Sequence, residues 1–165
     1  MDRARRRGAA VLIAVATFAY LADRLTKVWA ETRLVDTPID VIDGVLTFRF
    51  TTNSGGAFSI GGSTPWVFVT ASVVAIGIIV VTAFRHTTVT SAVAVGLILG
   101  GALGNHTDRA IRGDGFRGRV VDFIDVHVWP IFNLADTAIV VGALILALGS
   151  FLEGRDHDRE PRDAR

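Results

Sequence analysis

The chain contains no cysteine. Disulfides, thiolate metal sites and cysteine nucleophiles are therefore excluded, as is attachment of this chain to a membrane through a lipidated N-terminal Cys. A His-Glu-x-x-His run is also missing. His86, His106, His127 and His157 are scattered without ligand spacing, so no metal and no cofactor are expected. The glycine-rich stretch that begins at Gly55 lacks the Walker pattern, which removes support for nucleotide hydrolysis. Charge nearly cancels, at a formal net of +1, so nothing in the total favours a nucleic-acid partner.

What is abundant is apolar sequence. Half of the 165 residues are hydrophobic, the mean hydropathy is +0.46, and the length suits one domain. A first apolar block covers 8–22, behind Arg3, Arg5, Arg6 and Arg7, and continues helically through Asp23, Leu25, Lys27, Val28 and Trp29. Alone, this start resembles a cleaved signal peptide. Further blocks at 65–84, 88–104 and 136–152 favour a retained first span. At about 1.5 Å per residue, such a block reaches roughly the 30 Å of a hydrocarbon core. The expected fold is an all-α polytopic membrane protein, with four transmembrane helices and a small extracytoplasmic β-like cradle. The membrane-embedded domain covers 1–152, and 153–165, charged and containing Pro161, is expected to be a disordered cytoplasmic tail.

Arginines in short loops put both termini on the cytoplasmic side and segments 31–63 and 110–135 outside. Arg109, Arg112, Arg117 and Arg119 on the outer face run against that rule. Leu46, Phe48 and Phe50 alternate with Thr47, Arg49 and Thr51 behind an Asp43-Gly44 turn signal, which predicts a half-buried strand. Gly96, Gly100 and Gly104 form a small-residue stripe for close helix packing. If that helix continues, Asn105, Asp108, Arg109 and Arg112 share one face and point into the bundle. Asp23 and Lys27, four apart with the acid first, read as an interfacial salt bridge, and Trp29 as an aromatic-belt residue.

Asp122 and Asp136 stand in apolar surroundings at the edge of the last block. Either could simply cap the helix that follows. A carboxylate at a bilayer edge is costly, however, and two that meet can share one proton and act as acid and base on a water molecule. The two lie fourteen positions apart, and the stretch between them includes Pro130 and allows such a turn. Asn133 could cap the helix or orient a carboxylate, and Arg109 could stabilise the ionised partner. A Ser59–Lys27 hydrolase is disfavoured, because Asp23 one turn away holds Lys27 charged.

The motifs resemble those of the lipoprotein signal peptidase (signal peptidase II) family in four ordered blocks. These are Asp23-Arg24-Leu25-Thr26-Lys27; Asn53-Ser54-Gly55-Gly56-Ala57-Phe58-Ser59; Gly100-Gly101-Ala102-Leu103-Gly104-Asn105 with Asp108-Arg109; and Val120-Val121-Asp122-Phe123-Ile124-Asp125 with Pro130-Ile131-Phe132-Asn133-Leu134-Ala135-Asp136. The resemblance implies a bacterial cytoplasmic-membrane aspartic endopeptidase with its active site at the outer face. It implies Asp122 and Asp136 as the catalytic dyad, Asn53, Asn105, Arg109 and Asn133 lining or supporting the site, and Asp23 and Lys27 as structural. The implied substrate is a prolipoprotein cut before its lipidated Cys, met in membrane lipid by a monomeric enzyme. Asp125 is the tempting wrong choice, since it shares a face with Asp122 only in a helix. One departure is that the loop 124–130, which covers the site, is shorter than in some members, and this bears on lid behaviour and substrate range. The rival class is a small transporter or channel subunit with carboxylate ligands, which predicts carboxylates near mid-span.

Overall fold

The computed structural model describes residues 3–54, 77, 88–113 and 118–157. Within them the elements are α1 (Arg3–Arg33), β1 (Ile39–Ile42), β2 (Leu46–Asn53), α2 (Val89–Ile111), β3 (Val120–Asp125) and α3 (Leu134–His157). All three helices are long and apolar enough to cross a membrane. Of the expected span at 65–84 only residue 77 is described, and the glycine-rich loop at 55–63 lies outside the described residues. The third helix runs to His157, and residues 158–165 lie outside the described residues.

The glycine stripe sets the packing. A Cβ on Gly96 would lie 2.9 Å from the Leu12 carbonyl oxygen, and one on Gly100 would lie 2.7 Å from Ala19 Cβ. A Cβ on Gly104 would run into the Asp23 carboxylate. Successive turns of α2 therefore touch successive turns of α1, with backbones too close for any side chain. Gly142 repeats the device between α3 and α2, where a Cβ would be 2.6 Å from the Ala94 carbonyl oxygen. Thus α2 is the central helix of the three. Thr88 starts it by accepting the Ser91 amide on its hydroxyl at 3.1 Å.

The strands form one antiparallel sheet in the order β1-β2-β3. The expected strand is present as β2 and extends to Asn53, while β3 carries no alternation that would predict it. The sheet sits on the C-terminal end of α1. Ala30 of the helix and Leu34 just beyond its end meet Val121 and Phe123 of β3 in a small buried core. Trp29 stands edge-on to Phe48 at 5.7 Å and to Phe123 at 6.1 Å. It therefore pins the sheet to α1 rather than serving only as a belt residue, each such ring pair adding about 0.5–1.5 kcal/mol beyond burial.

Candidate active site

Asp136 is the third residue of α3, and the local sequence Asn133-Leu134-Ala135-Asp136 makes a reciprocal cap. The Asp136 amide donates to Asn133 Oδ1 at 2.9 Å, and the Asn133 amide donates to Asp136 Oδ2 at 3.2 Å. The capping role considered from sequence is thus present, but it uses only one carboxylate oxygen. Asp136 Oδ1 instead accepts from Asn105 Nδ2 at 2.8 Å, across from α2.

Asp122 reaches the same place from β3. It is buried, and its Oδ1 accepts from Asn133 Nδ2 at 2.7 Å. One asparagine therefore touches both carboxylates. The connecting turn is closed beside them, where the Ile124 amide donates to the Phe132 carbonyl at 2.8 Å and the Phe132 amide returns to Ile124 at 3.1 Å. Asn53 lies opposite Val120 in the β2–β3 register, on the face that carries Asp122, and its side chain hydrogen-bonds that carboxyl. Arg109 is buried, donates to the Gly118 carbonyl at 3.4 Å, and its charge acts on Asp122, Asp136 and Asp108. All of Asp122, Asp136, Asn53, Asn105, Arg109 and Asn133 converge here.

The environment of Asp122 pushes its carboxyl up to about 7. Burial is the largest cause and the neighbouring Asp136 charge the second, opposed by the Asn133 and Asn53 amides and the Lys27 charge.

The Asp23–Lys27 pair expected from their spacing is present, and other polar groups enclose it. Lys27 is fully buried, 2.9 Å from Asp23 Oδ2 in ion-pair rather than hydrogen-bond geometry, and 3.0 Å from Asp108 Oδ2. It also donates to Asn105 Oδ1 at 2.9 Å. Asp23 Oδ1 accepts the Ala135 amide at 3.0 Å, satisfying a backbone donor at the start of α3 that the helix itself leaves open.

Asp108 is the residue that sequence reasoning underweighted. It was placed on the polar face of α2 but given no role of its own. Its Oδ1 takes Arg24 and the Arg112 Nε, the latter at 3.0 Å, and its Oδ2 takes the Val121 amide at 3.2 Å. That last bond fixes β3 one residue before Asp122. Arg112 continues outward to Glu31 on α1.

Asp125 is excluded by the strand. Three residues along β3 it faces away from Asp122, accepts the His127 amide at 2.8 Å and pairs with Arg49 Nε at 2.7 Å. His127, at φ 60°, sits 3.0 Å from the Thr47 hydroxyl, which donates to Asp40 at 2.7 Å. These contacts tie down the short loop whose tip, Val128 and Trp129, is exposed.

Comparison with known proteins decides the family. The model for signal peptidase (SPase) II matches residues 15–152. The chain belongs to the signal peptidase II family. A lipoprotein signal peptidase of Streptomyces coelicolor is 42% identical over 155 residues, covering 93% of this chain and 76% of that one. One from Mycobacterium avium is 39% identical over 162 residues, covering 95% and 86%. A bacterial membrane enzyme solved by the in meso method at 2.3 Å resolution superposes with a TM-score of 0.77 at 26% identity, over 94% of this chain and 95% of that one. This signal peptidase II family member is accordingly a membrane-embedded protease. Its paired carboxylates, one at the start of a span and one in a strand beyond it, are suited to acid–base work on a water molecule.

Proposed function

We propose that the chain is an aspartic endopeptidase that removes the signal peptide of a diacylglyceryl-modified prolipoprotein, cutting before the lipidated Cys, with Asp122 and Asp136 as its dyad. The single observation that carries this reading is Asn133, which hydrogen-bonds both carboxylates at once. Asp136 sits at a helix N-terminus with a donor on each oxygen, and both features favour a carboxylate there. Asp122, buried beside that charge, holds the proton of the pair. Asp136 takes a proton from water as the water oxygen bonds to the scissile carbonyl carbon, while Asp122 gives its proton to the carbonyl oxygen. Asp136 then passes its proton to the departing amide nitrogen as the C–N bond breaks, while Asp122 takes the proton back from the intermediate's hydroxyl, which restores the starting pair. The position of both carboxylates at the end of a span, away from its middle, speaks against ion transport.

In this reading the sequence at 65–84 supplies a fourth crossing of a bacterial cytoplasmic membrane. The arginine-rich N-terminus lies inside and the dyad at the outer surface. The enzyme works as a single chain in this reading. The substrate arrives laterally through lipid, so its acyl chains and signal helix provide binding remote from the scissile bond. Purified protein incubated with lipidated and unlipidated forms of one precursor tests this. Release of the signal peptide from the lipidated form alone is expected, and failure to cleave it would overturn the assignment.

A further inference from the structure

We propose that Lys27 is a positioning residue of the dyad, acting through the Asn105 side chain to keep a hydrogen-bond donor on Asp136. The inference rests on the dyad reading above.

A carboxamide can face either way, with oxygen and nitrogen exchanged. The Asn105 oxygen faces two donors, Lys27 Nζ at 2.9 Å and Asn133 Nδ2 at 3.1 Å. Its nitrogen consequently faces Asp136 Oδ1, at 2.8 Å. Reversal would set an NH2 group against an ammonium and a second NH2, and an amide oxygen against a carboxylate. Every contact would become like against like. Lys27 is itself immobilised, because it hydrogen-bonds Asn105 and ion-pairs with Asp23 and Asp108 in a site with no exposed side-chain surface. The charged groups facing the pair are Asp23 and Lys27 from α1, and Asp108 and Arg109 from α2, with Arg24 and Arg112 balancing Asp108. Of these, Lys27 is the one joined to Asp136 through a single oriented amide. Its charge also opposes the upward push on Asp122.

The test is the pH profile of kcat and KM for full-length wild type, Lys27→Met, Asn105→Ala and the double variant, using a lipidated precursor peptide in micelles. Loss of the cation favours protonation of Asp122. Lys27→Met is therefore expected to shift the alkaline limb of kcat/KM upward by about one pH unit. Its kcat falls about tenfold with KM nearly unchanged, the sign of a group that acts away from the substrate. In the Asn105→Ala background the further loss from Lys27→Met largely disappears. Equal fold-losses in both backgrounds with an unmoved alkaline limb would overturn the proposal, leaving Lys27 purely structural. If Lys27→Met does not fold, Asp23→Asn/Lys27→Met keeps the buried charge balanced and is read in the same way. Asp122→Asn and Asp136→Asn run alongside. Turnover by either removes the dyad itself, whereas inactive aspartate variants with an unshifted Lys27→Met profile remove only the role of Lys27.

Discussion

Replacing Asn133 separates the helix cap from the support of the dyad, because the two functions lie on opposite ends of one amide. Oδ1 accepts the Asp136 amide at 2.9 Å, while Nδ2 donates to Asp122 at 2.7 Å. Serine is a comparable N-cap but too short to reach β3, and alanine can do neither. Asn133→Ala loses about 1 kcal/mol from the cap, and a further ~1–3 kcal/mol from the unpaired oxygen on buried Asp122. Asn133→Ser restores the cap alone, so its melting midpoint is expected about 2–4 °C above that of the alanine variant. Activity divides differently. A donor on a carboxylate favours the ionised form, so losing it raises Asp122 further above about 7. A hydrogen bond to a charged group contributes roughly 1.5–3 kcal/mol, and the Asn53 amide remains to compensate in part. The alkaline limb of kcat/KM should move up by about one pH unit in the serine and alanine variants alike. Cleavage of a lipidated precursor between pH 5 and about 9, beside a thermal melt, gives both quantities. An alkaline limb that stays in place in Asn133→Ser, or moves only in Asn133→Ala, would refute the reasoning.

Asp122 also ties stability to pH. The folded chain keeps its proton up to about 7, whereas the unfolded chain releases it near 3.8. This contribution is complete below the lower value and is lost as pH rises through the upper one, so the melting midpoint should decline from pH 5 to about 8 less steeply in Asp122→Asn than in wild type. Equal slopes would contradict it. Gly104→Ala drives a methyl group into the Asp23 carboxylate, whose Cγ would lie 2.9 Å away, and should cost about 1–3 kcal/mol. An unchanged melt would mean that α1 and α2 are not held at this spacing. Asp125→Asn should retain both limbs of the pH profile, because that carboxylate faces Arg49 and the His127 amide. A shifted limb would bring Asp125 into the site.

Much of the molecule was legible in the chain, for physical reasons that also explain what was not. The glycine stripe has one interpretation in an apolar helix, and the structure uses each of its members against α1. Asn133-x-x-Asp136 was legible as a cap, and the cap is present while the second Asp136 oxygen turns to Asn105, because a carboxylate has two oxygens. The strand β3 was hidden. Both of its faces are covered, so Val120, Val121, Asp122 and Phe123 are buried in succession and the two-residue period disappears. Asp23 and Lys27 were legible in part. Their spacing announces a local pair, but the contacts that bury them come from Asn105, Asp108 and Ala135, far along the chain. No local pattern carries that information. Asp125 shares a face with Asp122 only in a helix, and the stretch is a strand that sets the two on opposite faces.

The most direct measurement is signal-peptide release from a lipidated precursor by Asp122→Asn and Asp136→Asn proteins that still insert and melt cooperatively. Each variant is expected to fall below detection, and the double variant to be no worse than either, as for groups that act as one unit. Turnover by either single variant within about a tenth of the wild-type rate would contradict catalysis by the paired carboxylates.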